Sequence, residues 1–130
     1  MIASLDNNRQ LVIAFYEAFT AGAVERFDTL LAPDFINHPA DPGRTNNVEG
    51  LKGGVTDFLA AFEDFVIQRD ALIAEGDLVV CRITMSGRHV KPLGKWQPSH
   101  ERVVFHGMDM HRIEAGRIAE TWHFEQFPEA

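Results

Sequence analysis

Apolar and polar positions divide the chain into a helical first half and a stranded second half. Leu11, Phe15, Ala18 and Phe19 recur at the spacing of one helical face and Gly22 follows as a stop, which predicts a helix over residues 6–21. Residues 24–31 read as a short second helix with Phe27, Leu30 and Leu31 inward and Pro33 just beyond its end. Phe35-Ile36-Asn37-His38-Pro39 reads as a short extended piece, because the residue before a proline is pushed out of the helical region. After a loop over residues 40–45, Asn46 is placed to cap a third helix and Glu49 to close a capping box. Val48, Leu51, Val55, Phe58, Leu59 and Phe62 continue that helix as an apolar stripe. Gly50, Gly53 and Gly54 each cost it about 0.5–1 kcal/mol relative to alanine, which points to close packing or a bend.

From Phe65 onward the period changes to that of strands, over residues 65–74, 77–89, 99–113 and 117–127. The order of elements predicts an α+β fold: three N-terminal helices on a mainly antiparallel sheet, curved enough to wrap an internal pocket. The last two strands are joined by Glu114-Ala115-Gly116, read as a three-residue loop with Gly116 left-handed, so that Ile113 pairs with Arg117. In that register Met110 faces Glu120, Met108 faces Trp122 and His106 faces Phe124. One face of the hairpin then carries Val104, His106, Met108, Met110, Ile118, Glu120, Trp122 and Phe124, apolar apart from His106 and Glu120. The other carries Asp109, His111, Arg117, Thr121, His123 and Glu125 and reads as the wetter one.

A carboxyl among Met, Trp and Ile is costly to ionise, so desolvation is expected to raise the Glu120 pKa toward neutrality, where it can exchange protons with a substrate. Glu120 and His106 are therefore the catalytic candidates. Trp122, Met108, Met110 and Phe124 are candidates for an adaptable apolar lining suited to a flat hydrophobic ligand. Asn37 and His38 fit a pocket mouth, and the single tyrosine, Tyr16, beside the first helix's stripe, is a candidate hydroxyl donor. Each also has a structural reading, as a backbone-bonded turn for Asn37 and His38 and as core for Tyr16.

Composition narrows the possibilities. The 130 residues make one domain, 1–130, and the net charge of −7 disfavours nucleic acid and anionic membrane surfaces as partners. Cys81 stands alone, which excludes an intrachain disulfide and a Cys-based zinc finger. With no signal-peptide pattern and no apolar run of about 20 residues, the expected location is the cytoplasm. The six histidines lack zinc-helix spacing, and a set of Asp109, His111 and His123 is the one candidate metal cluster; no metal is expected. A nucleophile elbow and a phosphate-binding glycine loop are both missing.

Several stretches together resemble the SnoaL-like polyketide cyclase family of the nuclear-transport-factor-2-like superfamily. They are Phe15-Tyr16-Glu17-Ala18-Phe19, Phe35-Ile36-Asn37-His38, Val48-Glu49-Gly50-Leu51, Phe62-Glu63-Asp64-Phe65, Ala74-Glu75-Gly76-Asp77-Leu78-Val79 and the run from Arg112 to Trp122. The resemblance implies a cone-shaped fold and an intramolecular aldol condensation without cofactor or metal. It also implies an acid on the last strand and a histidine on the one before, here by position Glu120 and His106. Glutamate stands where those cyclases are best known for aspartate. The expected substrate is a hydrophobic, carbonyl-containing small molecule. Two alternatives stay open: a non-catalytic ligand-binding or dimerisation module, and an isomerase or epoxide hydrolase using acids and an Arg such as Arg69, Asp70 and Arg82. A homodimer is expected, with Phe105, Ile113 and Phe127 on the paired sheet face.

Overall fold

A computed structural model describes residues 4–127. Helix α1 (Leu5–Ala21) starts where the Ser4 hydroxyl accepts from the Asn7 N–H and ends at left-handed Gly22. A single 3₁₀ turn (Val24–Arg26) leads into the one-turn helix α2 (Phe27–Leu30), so the predicted second helix is present in two short pieces. The extended piece is longer than its sequence suggests: strand β1 (Leu31–His38) begins directly after α2 and pairs in parallel with the last strand. Helix α3 (Val48–Ala60) is capped by Asn47, one residue later than expected, its side chain accepting from the Gly50 N–H. Asn46 instead uses its carbonyl to accept from the Asn37 N–H at 2.7 Å, tying β1 to the start of α3.

Four strands follow: β2 (Phe62–Glu75), β3 (Leu78–His89), β4 (Arg102–Glu114) and β5 (Arg117–Gln126). With β1 they form one sheet in the order β1-β5-β4-β3-β2, antiparallel except for the β1–β5 edge pair. The sheet is curved and unclosed, and α1 and α3 cover its concave side. The core lies between them, built on Val12, Phe15, Tyr16, Phe27, Phe35, Val55, Val79, Cys81, Ile83 and Phe105.

The last hairpin departs from the predicted register in two ways that add to a shift of two residues and so leave the faces unchanged. Glu114 pairs with Arg117 across a two-residue turn in which Ala115 (φ 50°) and Gly116 (φ 76°) are both left-handed, the requirement of a type I′ turn. The loop is therefore one residue shorter than expected. A bulge at Ala119 then inserts one residue into β5, so Ile113 opposes Ile118 but Arg112 opposes Glu120. Beyond the bulge Met110 faces Trp122 and Met108 faces Phe124. The even-numbered residues of both strands still share a face, as expected, apart from Ile118, which the bulge turns into the core.

Which face looks inward is the reverse of the expectation. Val79, Cys81, Ile83 and Met85 of β3 are buried, and they stand opposite His111, Asp109, Gly107 and Phe105 of β4. The odd-numbered side of β4 is thus concave, and Phe105 and Ile113 lie in the core instead of on an exposed face. The even-numbered side is convex: Val104 is 50% exposed, Met108 46% and Phe124 71%.

The glycines of α3 mark close packing. A Cβ on Gly50 would stand 1.7 Å from the Thr45 carbonyl oxygen, and one on Gly54 1.9 Å from Asp41 Oδ2. The loop between β1 and α3 lies flat on the helix because these positions have no side chain. Gly50→Ala is therefore expected to lower stability by about 1–3 kcal/mol in urea unfolding despite alanine's better helix propensity. A stabilised variant would contradict the packing of this loop.

Candidate functional site

The concave side encloses a cavity of about 1050 Å³. Most of its wall is apolar: Phe15 and Phe19 from α1, Phe35 from β1, Leu51, Val55 and Phe58 from α3, Ile83 and Met85 from β3, and Phe105 from β4. Leu93 and Trp96, in the loop between β3 and β4, and Phe127 complete it. A polar patch is formed by Tyr16, Asn37, Asp41, Asp109, His111, Thr121, His123 and Glu125, and Asp57 and Lys95 also reach the lining. The patch residues come from α1, the end of β1 and the loop after it, and the paired inner positions of β4 and β5, where Asp109 faces His123 and His111 faces Thr121.

Asp109 is the centre of the patch. It is 6% exposed, and the Tyr16 hydroxyl donates to its Oδ2 at 2.7 Å. Burial pushes its pKa up to about 6, against the lowering effect of the Tyr16 hydrogen bond. Tyr16 Oη also lies 2.8 Å from His111 Nε2, and His111 Nδ1 lies 2.8 Å from Thr121 Oγ1. Complete burial drops the His111 pKa to about 3, so its imidazole is neutral. Burial, with the Asp109 charge adding to it, holds the Tyr16 phenol well above its ordinary value.

His123 carries the opposite charge. Its Nδ1 is 2.6 Å from Glu125 Oε1 and its Nε2 is 2.7 Å from the Pro39 carbonyl oxygen. Both partners are acceptors, so both ring nitrogens must carry hydrogen and the ring is an imidazolium. Burial disfavours that charge, but the Glu125 hydrogen bond and charge and the Pro39 carbonyl outweigh it and raise the pKa to about 9. Asp41, pressed against Gly54, is also raised by burial. The Asn37 side chain is buried on the cavity wall, and its amide makes no hydrogen bond to protein among the described residues.

Of the residues expected at the site, Tyr16 and Asn37 line the cavity. Glu120, His106, Trp122, Met108, Met110, Phe124 and His38 do not, because the face assigned to the pocket is the convex one. Glu120 accepts from Arg112 Nε at 3.1 Å and is bound to His38 Nε2 at 2.7 Å. The His38 hydrogen bond, with help from Arg112, holds its carboxyl below the usual range, opposite to the expected rise. His38 stacks on Trp122 at 5.3 Å and 11°. His106 Nδ1 is 3.3 Å from the Thr84 hydroxyl on the same outer side.

The inner residues read in the sequence as the wetter face of the hairpin, and their polarity points away from a pocket. The alternation of β3 carried the missing signal, since its continuous apolar side, Val79 to Met85, pairs with Asp109 and His111. The candidate metal set also lies here, but all four ring nitrogens of His111 and His123 are engaged with protein groups. Among the described residues no group of three such side chains is arranged to hold a metal ion. Asp70 is bound to Thr84 and Gln68, and neither it nor Arg69 nor Arg82 lines the cavity.

Three helices on a curved, unclosed α+β sheet define a cone of the nuclear-transport-factor-2-like type. Residues 10–128 match the model of the SnoaL-like polyketide cyclase family, and the chain belongs to it. Among solved structures it is similar to TsrD from Streptomyces laurentii, at 27% identity and a TM-score of 0.85 over 95% of this chain and 91% of that one. It is also similar to IdmH from Streptomyces antibioticus, assigned as a polyketide cyclase, at 28% identity and a TM-score of 0.79 over 92% and 91%. AclR from Streptomyces galilaeus, assigned as a hydroxylase, shares the fold at 21% identity and a TM-score of 0.82 over 95% and 81%. No curated protein matches the sequence.

Two variants separate the faces. Tyr16→Phe removes the hydrogen bond that holds Asp109 down, so carboxyl ¹³C titration is expected to show the Asp109 pKa moving upward from about 6. A downward shift would contradict this geometry. Glu120 has a depressed pKa, so its contribution to stability is full above the unfolded carboxylate value, about 4.3, and is lost as pH falls through the folded value. Glu120→Gln should therefore be less stable than the parent at neutral pH and equal to it in acid. A difference that grows on acidification would refute the outer ion pair.

Proposed function

We propose that the protein is an acid/base enzyme of the polyketide-cyclase type, acting on a hydrophobic, carbonyl-containing small molecule through Asp109. One observation carries the reading: a carboxyl raised to about 6 by burial in the polar patch of a mostly apolar, ligand-sized cavity. Such a group is ionised at neutral pH yet basic enough to remove a proton alpha to a carbonyl. Its carboxylate is the proton acceptor, and the Tyr16 hydroxyl holds Oδ2 in place. The Asn37 amide is available to a substrate carbonyl, and the His123 imidazolium supplies positive charge where an enolate would form. Phe15, Phe35, Phe58 and Phe105 would hold the apolar body of the substrate. An intramolecular aldol closure needs these steps in one enclosed site: enolate formation, attack on a second carbonyl, and return of the proton to the new alkoxide.

Aromatic 1,3-dicarbonyl compounds in D₂O test the chemistry without knowledge of the natural substrate. The protein is expected to accelerate exchange at the carbon between the carbonyls, and Asp109→Asn to lose at least about 100-fold of that acceleration. The pH profile of kcat/KM should be a bell, rising through about 6 as Asp109 ionises and falling through about 9 as His123 loses its proton. An Asp109→Asn variant that exchanges as fast as the parent removes Asp109 from the mechanism.

A further inference from the structure

Asp109, Tyr16, His111 and Thr121 are joined end to end by hydrogen bonds of 2.7, 2.8 and 2.8 Å, and all four are buried. Phenol, imidazole and alcohol can each donate or accept, so the chain has two self-consistent orientations. With Asp109 ionised, the Tyr16 O–H donates to Asp109 Oδ2, the His111 Nε2–H donates to the Tyr16 oxygen, and the Thr121 O–H donates to His111 Nδ1. With a proton on Asp109 Oδ2 every link is reversed, His111 carries its hydrogen on Nδ1, and the Thr121 O–H points into the cavity.

We propose that this chain is a proton relay that switches between the two orientations as Asp109 takes up a proton, with His111 exchanging tautomers and never charging. The atoms balance. On protonation the Tyr16 O–H bond breaks as the Asp109 O–H forms, the His111 Nε2–H breaks as the Tyr16 O–H re-forms, and the Thr121 O–H breaks as the Nδ1–H forms. Thr121 then takes one proton from the cavity, so the net change is one proton moved from cavity to Asp109 with no charge stranded between. Asp109 and Thr121 both line the cavity, which gives the relay a port at each end. The inference rests on the reading of Asp109 as the proton-exchanging carboxyl and assigns Tyr16, His111 and Thr121 to it as positioning residues.

The other groups around Asp109 are compatible with a switch near its own pKa. Tyr16 reaches it from α1, Cys81 stands opposite on β3, and His123, beside Glu125, stands opposite on β5. Arg69 and Asp70 of β2 act on Cys81 from further out. Burial pushes the Cys81 thiol up to about 11, and Glu125 holds His123 at about 9 against its burial, so neither changes charge between pH 5 and 8.

The test is long-range ¹H–¹⁵N correlation of the ligand-free protein with ¹⁵N-labelled histidine, titrated from pH 4.5 to 8.5. His111 is expected to stay neutral and to pass from Nδ1–H at low pH to Nε2–H at high pH, with the midpoint that Asp109 shows in ¹³C carboxyl titration. In Asp109→Asn, where position 109 cannot titrate, one tautomer should persist throughout. In Thr121→Val both orientations lose a partner, the ionised one the donor to bare Nδ1 and the protonated one the acceptor for Nδ1–H; the stranded N–H costs more, so the Asp109 midpoint should fall. A single His111 tautomer across the range in the parent, an imidazolium, or a switch that survives Asp109→Asn overturns the relay. No substrate is involved, so relay failure would leave the cyclase reading standing, and failed proton exchange would leave the relay standing.

Discussion

The 2.7 Å hydrogen bond between the Tyr16 hydroxyl and Asp109 is the contact on which the rest of the structure's chemistry depends. A carboxylate in a buried position is costly to ionise, and one strong donor offsets part of that cost without cancelling it. The balance leaves a group that can lose and regain a proton near neutral pH. The same hydroxyl also reaches His111 and fixes α1 against β4, so one phenol links helix packing to the proton chemistry of the cavity. The His123–Glu125 pair stands beside it as a charge that stays put while Asp109 changes.

The apolar wall serves both folding and recognition. Phe15, Phe35, Phe58 and Phe105 belong to the core or pack against it and also face the cavity. Their ring packing sets the shape of the space, with Phe15 stacked on Phe27 and Phe58 edge-on to Phe105. A cavity in the middle of a 130-residue domain gives up packing that a solid core would have. Small residues elsewhere recover close contact: the loop after β1 lies directly on α3 because Gly50 and Gly54 make room for Thr45 and Asp41.

Much of the fold was legible from residue spacing. The period of α1 and α3 and the alternation of the last strands gave the α+β order, and Gly22 ended α1 as expected. Less local features were not. The parallel pairing of β1 with β5 joins segments about eighty residues apart, and no residue near Leu31 announces it. Face orientation failed for a physical reason. Met108, Met110, Trp122 and Phe124 make the greasier side of the hairpin, but polarity alone does not decide burial when buried polar groups bond one another. Asp109, His111, Thr121 and Tyr16 do so, and their mutual satisfaction appears only when the helix is laid across the strands. The outer cluster of Glu120, His38, Arg112 and Trp122 likewise needed β1 to be recognised as a strand.

The central claim is that the proton-exchanging carboxyl lies on the concave side, at Asp109, and not on the convex side, at Glu120. Carboxyl ¹³C titration of both in one ligand-free sample compares them directly. Asp109 is expected to titrate at about 6 and Glu120 below the ordinary glutamate range. An Asp109 that titrates at or below the ordinary aspartate value of about 3.9, with Glu120 raised, would contradict it.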